Sequence, residues 1–485
     1  MNIDVYKDNL GKVLFALSVL IFGLMIFTPL NSVFIHADEF FTLFVVKFPV
    51  TDIINVNIHD VHPPLYYLIV KAIAKLLGVL NVSFSSLFLI KIISIISYGL
   101  ILLFSALKLR DDYGWLSVGI FTFALGCLSQ FFMHFILGRM YALGIVFLLL
   151  SFYFMKNILK DSDTRSWVFF TVFSVLGAYT HYFVAISSVV MYMMLLIYLI
   201  LNKQSLKKWF ISVLAGIVMY LPWIYALVKQ LTKVHNSYWI KDLTVKSFIK
   251  CLGYFSTNSD AIIIQLIAIF ALIFFIVVLF KNSDNILDSE NYYLLSGIGV
   301  FVGTLAVGSI LSLVFKPILV ARYLLPASAV LWFAVSILVG KIKNRRILLV
   351  SLALIMLLSV CAVADTVTSN DKMLEDGNGY NNLLSKINDG DIVIFNSGVG
   401  LLEFGDYVND TDIYTVELND PYGIPNSHVE GMYDFKQLNE TGIKDLIAQN
   451  PDKKIYLVDA WGDEKFDDLN KTDAGKIVNV KFYEV

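Results

Sequence analysis

The sequence is poor in cysteine and in charge. Its 485 residues include only three cysteines, Cys127, Cys251 and Cys361, with no CxxC pair and no Cys/His cluster. From that spacing we expect no disulfide framework and no structural zinc site. Only 16% of the residues are charged, against about a quarter in soluble domains. The shortage of charge, with 58% hydrophobic residues, predicts an integral membrane protein.

Long apolar runs support this prediction, because a membrane-spanning helix needs about 20 mostly apolar residues. We predict about eleven transmembrane helices, and we expect the first of them to be an uncleaved span rather than a signal peptide. They lie near residues 11–31, 83–107, 112–135, 138–156, 166–182, 183–201, 209–228, 261–280, 293–314, 318–340 and 346–366.

The segment 62–79 is apolar but carries Lys71 and Lys75 four residues apart, on one face of a helix. This pattern indicates a juxtamembrane helix at the interface, within a first outer loop of residues 32–82. With the N-terminus in the cytoplasm, every predicted inner loop then holds basic residues, as the positive-inside rule expects. The outer side receives the loop 32–82, the turn 136–139, the loop 229–260, the turn 315–323 and the C-terminal region.

The C-terminal region differs from the rest in charge. Residues 367–485 hold 23 acidic and 10 basic residues and no arginine, out of 39 acidic and 37 basic residues in the whole chain. We therefore predict a transmembrane domain over 1–366 and a soluble extracytoplasmic domain over 367–485. Alternating patterns indicate a small α/β domain,. Its predicted strands lie in 390–398, 412–418, 453–461 and 476–485, and its predicted helices in 380–387 and 434–449. A lid, an acceptor platform and a stability cap are all open as its role.

Polar residues that could carry chemistry follow the first span. Asp38 and Glu39 are adjacent carboxylates at a membrane surface. They suit a general base, whose pKa desolvation would raise, or ligands of a divalent cation,. A solvated pair at a helix end is the ordinary alternative. Asp60 and His62 precede two prolines that suit the start of a helix. Asp60 could cap that helix, and His62 would lie at its positive end, where anions bind,.

Further candidates lie at later membrane boundaries. Arg139 and Arg322 either snorkel to the interface or clamp a phosphate with their planar donors,. His181 ends a predicted span, where a histidine is costly unless it is hydrogen-bonded, so it is either a packing residue or a functional one. In the loop 229–260, the aromatic residues Tyr238, Trp239 and Tyr254 are either membrane anchors or stacking surfaces for a sugar.

These stretches resemble the GT-C class of membrane glycosyltransferases, in particular the protein O-mannosyltransferase and lipid A aminoarabinose transferase family. The resemblance covers roughly residues 10–345. It rests on Ala37-Asp38-Glu39, His62-Pro63-Pro64-Leu65-Tyr66-Tyr67, Arg139-Met140-Tyr141-Ala142-Leu143, Thr180-His181-Tyr182 and Arg322-Tyr323-Leu324-Leu325-Pro326.

The resemblance implies sugar transfer from a polyprenyl-phosphate donor to an acceptor hydroxyl, with inversion, on the outer face of the plasma membrane. Asp38 would be the catalytic base and Glu39 its support. The donor's phosphate and sugar would be bound by Asp60, His62, Arg139, Tyr141, His181, Arg322 and Tyr323.

The acceptor stays open between a protein, a lipid and a glycan. We expect no nucleic-acid partner and no certain cofactor. Two other classes remain possible. One is a transporter or flippase, although the candidate residues gather at one membrane face rather than at the midplane, where transporter sites lie. The other is a scaffold that presents the tail domain.

Overall fold

The computed structural model describes the chain from residue 3 to 485, apart from residues 32–35, 81, 83–84, 237–239, 406–407, 409–410, 417–433, 461–465 and 478–479. The chain forms two compact units. The first unit comprises Met1–Phe27, Val61–Tyr66 and Lys91–Ser369, and the second comprises Thr28–Asp60, Tyr67–Ile90 and Asn370–Val485.

The chain is mostly helical. Its helices are α1 (Ile3–Asn31), α2 (Ala37–Lys47), α3 (Val50–His59), α4 (Leu65–Val79), α5 (Ser86–Phe104), α6 (Arg110–Cys127), α7 (Ser129–Ile136), α8 (Tyr141–Asp161), α9 (Thr164–Ala178), α10 (Tyr182–Leu201), α11 (Lys207–Asn236), α12 (Val245–Gly253), α13 (Ile262–Lys281), α14 (Ser289–Val314), α15 (Leu325–Lys341), α16 (Arg345–Leu384), α17 (Gly398–Phe404) and α18 (Glu440–Gln449). A π-helical turn, Ser105–Leu109, joins α5 to α6, and a 3-10 turn, Ala321–Leu324, precedes α15.

Nine helical stretches in the described part of the chain are long and apolar enough to cross a membrane. The predicted polytopic fold is confirmed, and two local differences account for the smaller number. The predicted spans 83–107 and 112–135 form one stretch, Ser86–Cys127. The predicted span 166–182 corresponds to α9, whose 15 residues fall short of the roughly 20 that a span needs. The juxtamembrane segment, α4, also has 15 residues.

The stretch Ser86–Cys127 is not a uniform helix. Gly114 interrupts it with φ 80° and ψ 173°, a conformation that side-chain-bearing residues rarely adopt. The two apolar runs are separated in sequence by the charged residues Arg110, Asp111 and Asp112. The helix is interrupted just after them, at Gly114, and hydropathy alone does not predict that position.

Helices α1 and α6 cross at two glycines. A Cβ atom added to Gly119 would lie 2.3 Å from the carbonyl oxygen of Gly11, and one added to Gly11 would lie 2.2 Å from the backbone of Trp115. Small residues allow such backbone contact between membrane helices. Near this crossing, the Nζ of Lys7 donates to the carbonyl oxygens of Gly340 and Ile342, at 2.8 and 2.7 Å, and so caps the end of α15.

This crossing predicts a sharp difference between two glycines of the same membrane bundle. Gly119→Val should destabilise the protein by about 1–3 kcal/mol, because the new side chain would meet backbone that cannot move aside. Gly23→Ala on α1 is the control, since nothing lies within 4 Å of its added Cβ. Thermal unfolding in detergent should show a lower Tm for the Gly119 variant alone. Equal Tm values for the two variants would contradict the close crossing.

Helix α15 is the core of the first unit. Every residue from Leu325 to Val339 is buried, and the helix packs against α6, α8 and α14. The indole nitrogen of Trp332 donates to the carbonyl oxygen of Phe255, at 2.6 Å, which ties the loop after α12 to this helix. The 3-10 turn that leads into α15 is therefore held on a rigid support.

The described residues of the tail form a six-stranded sheet in the order β3-β2-β1-β4-β6-β5. Its strands are β1 (Ile392–Phe395), β2 (Asp412–Thr415), β3 (Phe435–Gln437), β4 (Ile455–Ala460), β5 (Thr472–Ile477) and β6 (Val480–Glu484). The first four strands are parallel, and β6 is antiparallel to both β4 and β5.

Two of the predicted tail elements were wrong in detail. The segment 476–485 is not one strand: it contains the end of β5 and all of β6, paired as an antiparallel hairpin. The segment 434–449 is not one helix, because it begins with β3 before α18 starts at Glu440. Asn439 marks that boundary, where its side-chain oxygen accepts a hydrogen bond from the Gly442 amide at 2.8 Å, as an N-cap does.

Candidate active site

Six of the predicted site residues lie in the first unit, and all six come from the starts of helices. His62 lies just before α4, and Arg139 lies just before α8, which begins at Tyr141. His181 is the N-cap of α10, and Arg322 and Tyr323 lie in the 3-10 turn that precedes α15. The start of α4 is held to the end of α9 by a hydrogen bond from the Leu65 amide to the Tyr179 carbonyl, at 3.1 Å.

The ring of His181 is the centre of this group. Its centroid lies 5.3 Å from that of Tyr141, 5.0 Å from that of Tyr323 and 6.4 Å from that of His62. The rings of Tyr141 and Tyr323 are stacked, with centroids 6.4 Å apart. Residues more than 250 positions apart in sequence therefore form one cluster, which we call the His181 cluster: His62, Arg139, Tyr141, His181, Arg322 and Tyr323.

His181 itself is held as a neutral hydrogen-bond donor. Its Nδ1 accepts from the Phe183 amide at 3.1 Å and so caps α10. Burial lowers the pKa of His181 well below its usual value, and the neighbouring His62, Arg139 and Arg322 lower it further. A neutral imidazole whose Nδ1 accepts carries its proton on Nε2. The remaining ring nitrogen is therefore a donor.

The two arginines are placed by different local structures. Arg139 is buried, with 5% of its surface exposed. The Ser94 hydroxyl donates to the carbonyl oxygens of Leu137 and Arg139, at 2.6 and 3.2 Å, and fixes the turn between α7 and α8. The guanidinium of Arg322 lies 5.9 Å from the centroid of the Tyr323 ring. Both charges act on His181, so the cluster is electropositive.

An apolar cavity of about 350 Å³ begins at this cluster. His62, His181 and Tyr323 form part of its wall, and the rest is almost entirely apolar. Side chains of α10, α11 and α14 supply most of that wall, including Phe183, Ile186, Val189, Leu227, Leu231, Val307 and Leu311. The arrangement suits a ligand with one charged end and one apolar end.

A short polar network lies on the same wall. The Tyr182 hydroxyl donates to the Gln230 side chain and accepts from the Trp223 indole nitrogen, which lies 3.0 Å away. These bonds join α10 to α11 on one side of the cavity. They satisfy polar groups that would be costly to bury without partners.

Two residues beside the cluster were missed or only weakly indicated by sequence. The ring of His134 lies edge-on to Tyr141, with centroids 4.8 Å apart; its position five residues before Arg139 was the available signal. Burial raises the pKa of Tyr254, the electrostatic effect of Tyr141 raises it further, and that of Arg322 lowers it. The Gln130 side chain donates to the Tyr254 carbonyl at 3.0 Å. Tyr238 and Trp239 lie outside the described residues.

The remaining three predicted site residues belong to the second unit. Glu39 is fully buried, and its Oε2 accepts from the His36 amide at 2.9 Å. The Asp38 amide donates to Nδ1 of His36 at 3.2 Å, so His36 and Glu39 form a capping box at the start of α2. Glu39 therefore secures the helix start, whereas the neighbouring Asp38 is only partly buried.

The structure corrects the expected position of Asp60. Its amide donates to the Val56 carbonyl at 2.9 Å, so Asp60 terminates α3 instead of capping the following helix. That following helix, α4, begins at Leu65, after both prolines. Among the described residues, no group of three or more His, Cys, Asp or Glu side chains could hold a metal ion.

The predicted GT-C-like architecture is confirmed at the level of the fold by a likeness to solved structures. Two solved structures of ArnT from Cupriavidus metallidurans have this fold, one in the apo state and one bound to undecaprenyl phosphate. Each aligns with this chain at a TM-score of 0.57 and 9% sequence identity, over 97% of both chains. No family model matches the sequence, and no curated protein does. At this identity the likeness establishes a shared fold.

Proposed function

We propose that this protein is a membrane glycosyltransferase that takes a sugar from a polyprenyl-phosphate donor. The observation that carries this proposal is the electropositive His181 cluster at the end of an apolar cavity. A lipid phosphate has the matching form, an anionic head on an apolar chain. The shared fold adds support, since one of the two similar structures is bound to undecaprenyl phosphate.

The cluster suits a phosphate leaving group. When the bond between the sugar and the phosphate breaks, negative charge develops on the departing oxygen. Arg139 and Arg322 offer planar donors that fit phosphate, and His62 adds a third positive charge when protonated. The starts of α8, α10 and α15 bring the positive ends of three helix dipoles to the same cluster. Neutral His181 offers an Nε2 donor. Such fixed charges stabilise the transition state most strongly where water is scarce.

Asp38 is the proposed base. The acceptor hydroxyl attacks the anomeric carbon as its proton passes to the Asp38 carboxylate, and the phosphate leaves from the opposite side with the bonding electrons. This single displacement inverts the anomeric centre. Glu39 contributes by holding the start of α2 through its capping bond. Asp60, Tyr141 and Tyr323 are proposed to bind the donor's phosphate and sugar.

The proposed location follows from the distribution of positive charge in the loops. The N-terminus lies in the cytoplasm of a multi-pass plasma-membrane protein, and the His181 cluster and the tail domain lie on the outer side. No nucleotide is required there, since the lipid phosphate itself is the leaving group.

Product analysis tests the proposal. Purified protein in proteoliposomes is given a panel of undecaprenyl-phosphate sugars together with protein, lipid and glycan acceptors from the cell envelope, and products are identified by mass spectrometry. We expect one donor to yield free undecaprenyl phosphate and a glycosylated acceptor. Movement of an intact donor across the bilayer, with no covalent product, would instead identify a flippase.

A further inference from the structure

The second unit joins the helix that carries Asp38 to the tail domain. Phe40 of α2 packs on Phe404 of α17, with ring centroids 4.6 Å apart. Both side chains are buried, with 2% and 1% of their surfaces exposed. An aromatic pair of this kind adds to the energy of area burial and favours particular ring orientations. The contact is therefore a specific joint between α2 and the tail.

The joint continues into the centre of the sheet. Helix α17 lies against β1 and β4, the two central parallel strands. The ring of Phe404 meets Phe482 of β6 edge-on, with centroids 5.9 Å apart. Helix α18 is packed elsewhere in the domain, where Ile443 and Phe466 belong to a separate core cluster. The tail thus has one apolar cluster that packs under α18. A different group of side chains, which includes Phe404 and Phe482, packs on the side of α2.

Helix α2 is also fixed at both ends. At its start, the capping box joins His36 to Glu39. At its end, the Nζ of Lys71 on α4 donates to the carbonyl oxygens of Val46 and Lys47, at 3.0 and 3.1 Å, which stabilises the negative end of the helix,. With both ends tied, α2 makes two further aromatic contacts: Phe40 packs on Phe404 of the tail domain, and Phe41 packs edge-on against Tyr67 of α4.

We infer that the tail domain positions Asp38, with Phe404 as the positioning residue. Asp38 and Phe40 lie in the same helical turn, so a rotation that displaces one ring displaces the carboxylate. The inference rests on the proposed function of Asp38. It favours a supporting role for the tail over the lid and acceptor-platform roles that sequence leaves open. A displacement of a catalytic group by about 1 Å can lower turnover by about 10²-fold.

The experiment compares two buried phenylalanines of the same domain in the full-length protein. Phe404→Ala removes the joint to α2, and Phe466→Ala removes a side chain of similar burial from the cluster near α18. Hydrogen exchange measured by mass spectrometry reports on peptides covering 36–47. Steady-state turnover, with the donor found in the product panel, gives kcat, its pH profile and KM. Binding of undecaprenyl phosphate is measured in parallel.

We expect Phe404→Ala to raise exchange in 36–47, to lower kcat by about 10²-fold and to shift its pH profile, with undecaprenyl phosphate binding unchanged. Phe404→Leu should recover most of the rate, since it restores apolar volume. Phe466→Ala should leave exchange in α2 and kcat near wild type. If Phe404→Ala does not fold, a double-mutant cycle replaces it. The kcat values of Phe40→Leu, Phe404→Leu and the double variant are compared, and we expect the effects of the two substitutions on kcat to be non-additive.

Several results would overturn the inference. One is unchanged exchange in 36–47 in Phe404→Ala. Another is an equal loss of rate in the Phe404 and Phe466 variants, which would make the tail a stability cap. A third is additive behaviour in the cycle. Absence of turnover by the wild-type protein with every donor would instead count against the proposed function, and the exchange comparison would still decide whether the tail holds α2.

Discussion

Asp38→Asn should lower kcat by about 10²–10⁴-fold, the usual contribution of a general base. Asparagine keeps the size and polarity of the side chain but cannot accept the proton of the acceptor hydroxyl. The amide of residue 38 would still donate to His36, so the start of α2 should survive. Folding, membrane insertion and undecaprenyl phosphate binding should stay at wild-type levels. The rate is measured by mass spectrometry of glycosylated product from the purified, reconstituted variant.

Two comparison variants sharpen this test. Glu39→Gln should lose far less activity, because glutamine at the third helical position can also form a capping box. Asp8→Asn changes a partly exposed carboxylate on α1 and should have no effect. Wild-type turnover by Asp38→Asn would reject the proposed base. A complete loss in Glu39→Gln with little loss in Asp38→Asn would assign the chemistry to the neighbouring residue.

A chelation series separates the two chemical roles that suit a carboxylate pair. A general base works without a divalent cation, so wild-type turnover should persist in EDTA. Loss of activity in EDTA, restored by adding Mg²⁺ or Mn²⁺, would instead make Asp38 a metal ligand. The measurement is the same product assay, run at fixed pH.

Replacement of the two arginines should produce the second large effect. Arg139→Ala and Arg322→Ala each remove a charged donor from the His181 cluster. A hydrogen bond to a charged group contributes about 1.5–3 kcal/mol, so each change should weaken binding of undecaprenyl phosphate by roughly 10- to 150-fold. The double variant should show no measurable binding. Native mass spectrometry of the protein in detergent with added lipid provides the affinities.

Arg165→Ala is the matched control for these variants. Its guanidinium lies 5.5 Å from the centroid of Phe169, an aromatic contact like that of Arg322 with Tyr323, but at the start of α9, away from the cluster. The affinity of Arg165→Ala for undecaprenyl phosphate should equal that of the wild-type protein. Unchanged affinity in both Arg139→Ala and Arg322→Ala would remove the phosphate-binding role of the cluster.

The sequence predicts the membrane fold well because hydropathy acts over whole helices. Runs such as 261–280 and 346–366 match α13 and the first half of α16. Prediction from sequence fails where the local structure depends on the backbone conformation of one residue or on the pairing of two strands. Two predicted spans correspond to the one long stretch Ser86–Cys127, which the positive φ of Gly114 interrupts. Short β3 and the antiparallel pairing of β5 with β6 depend on neighbouring strands, which the local pattern does not contain.

The residues of the candidate site also fall into two groups, those that the sequence indicates and those that it does not. Arg139, His181 and Arg322 were recognisable because charge and histidine are costly at membrane boundaries. Asp60 could have capped the helix after the two prolines, whereas in the structure it ends α3. His134 and Tyr254 join the cluster through tertiary packing, and neither carries a distinctive local pattern. The sequence does not distinguish Asp38 from Glu39. The structure does, because the Glu39 carboxylate accepts a capping hydrogen bond at the start of α2.

The central claim is that the His181 cluster holds the phosphate of a polyprenyl lipid. A cryo-EM map of the protein in nanodiscs with undecaprenyl phosphate tests it directly. We expect phosphate density in contact with Arg139, Arg322 and His62, and lipid-chain density in the cavity lined by α10, α11 and α14. Lipid density bound elsewhere, with that cavity and cluster unoccupied at saturating lipid, would contradict it.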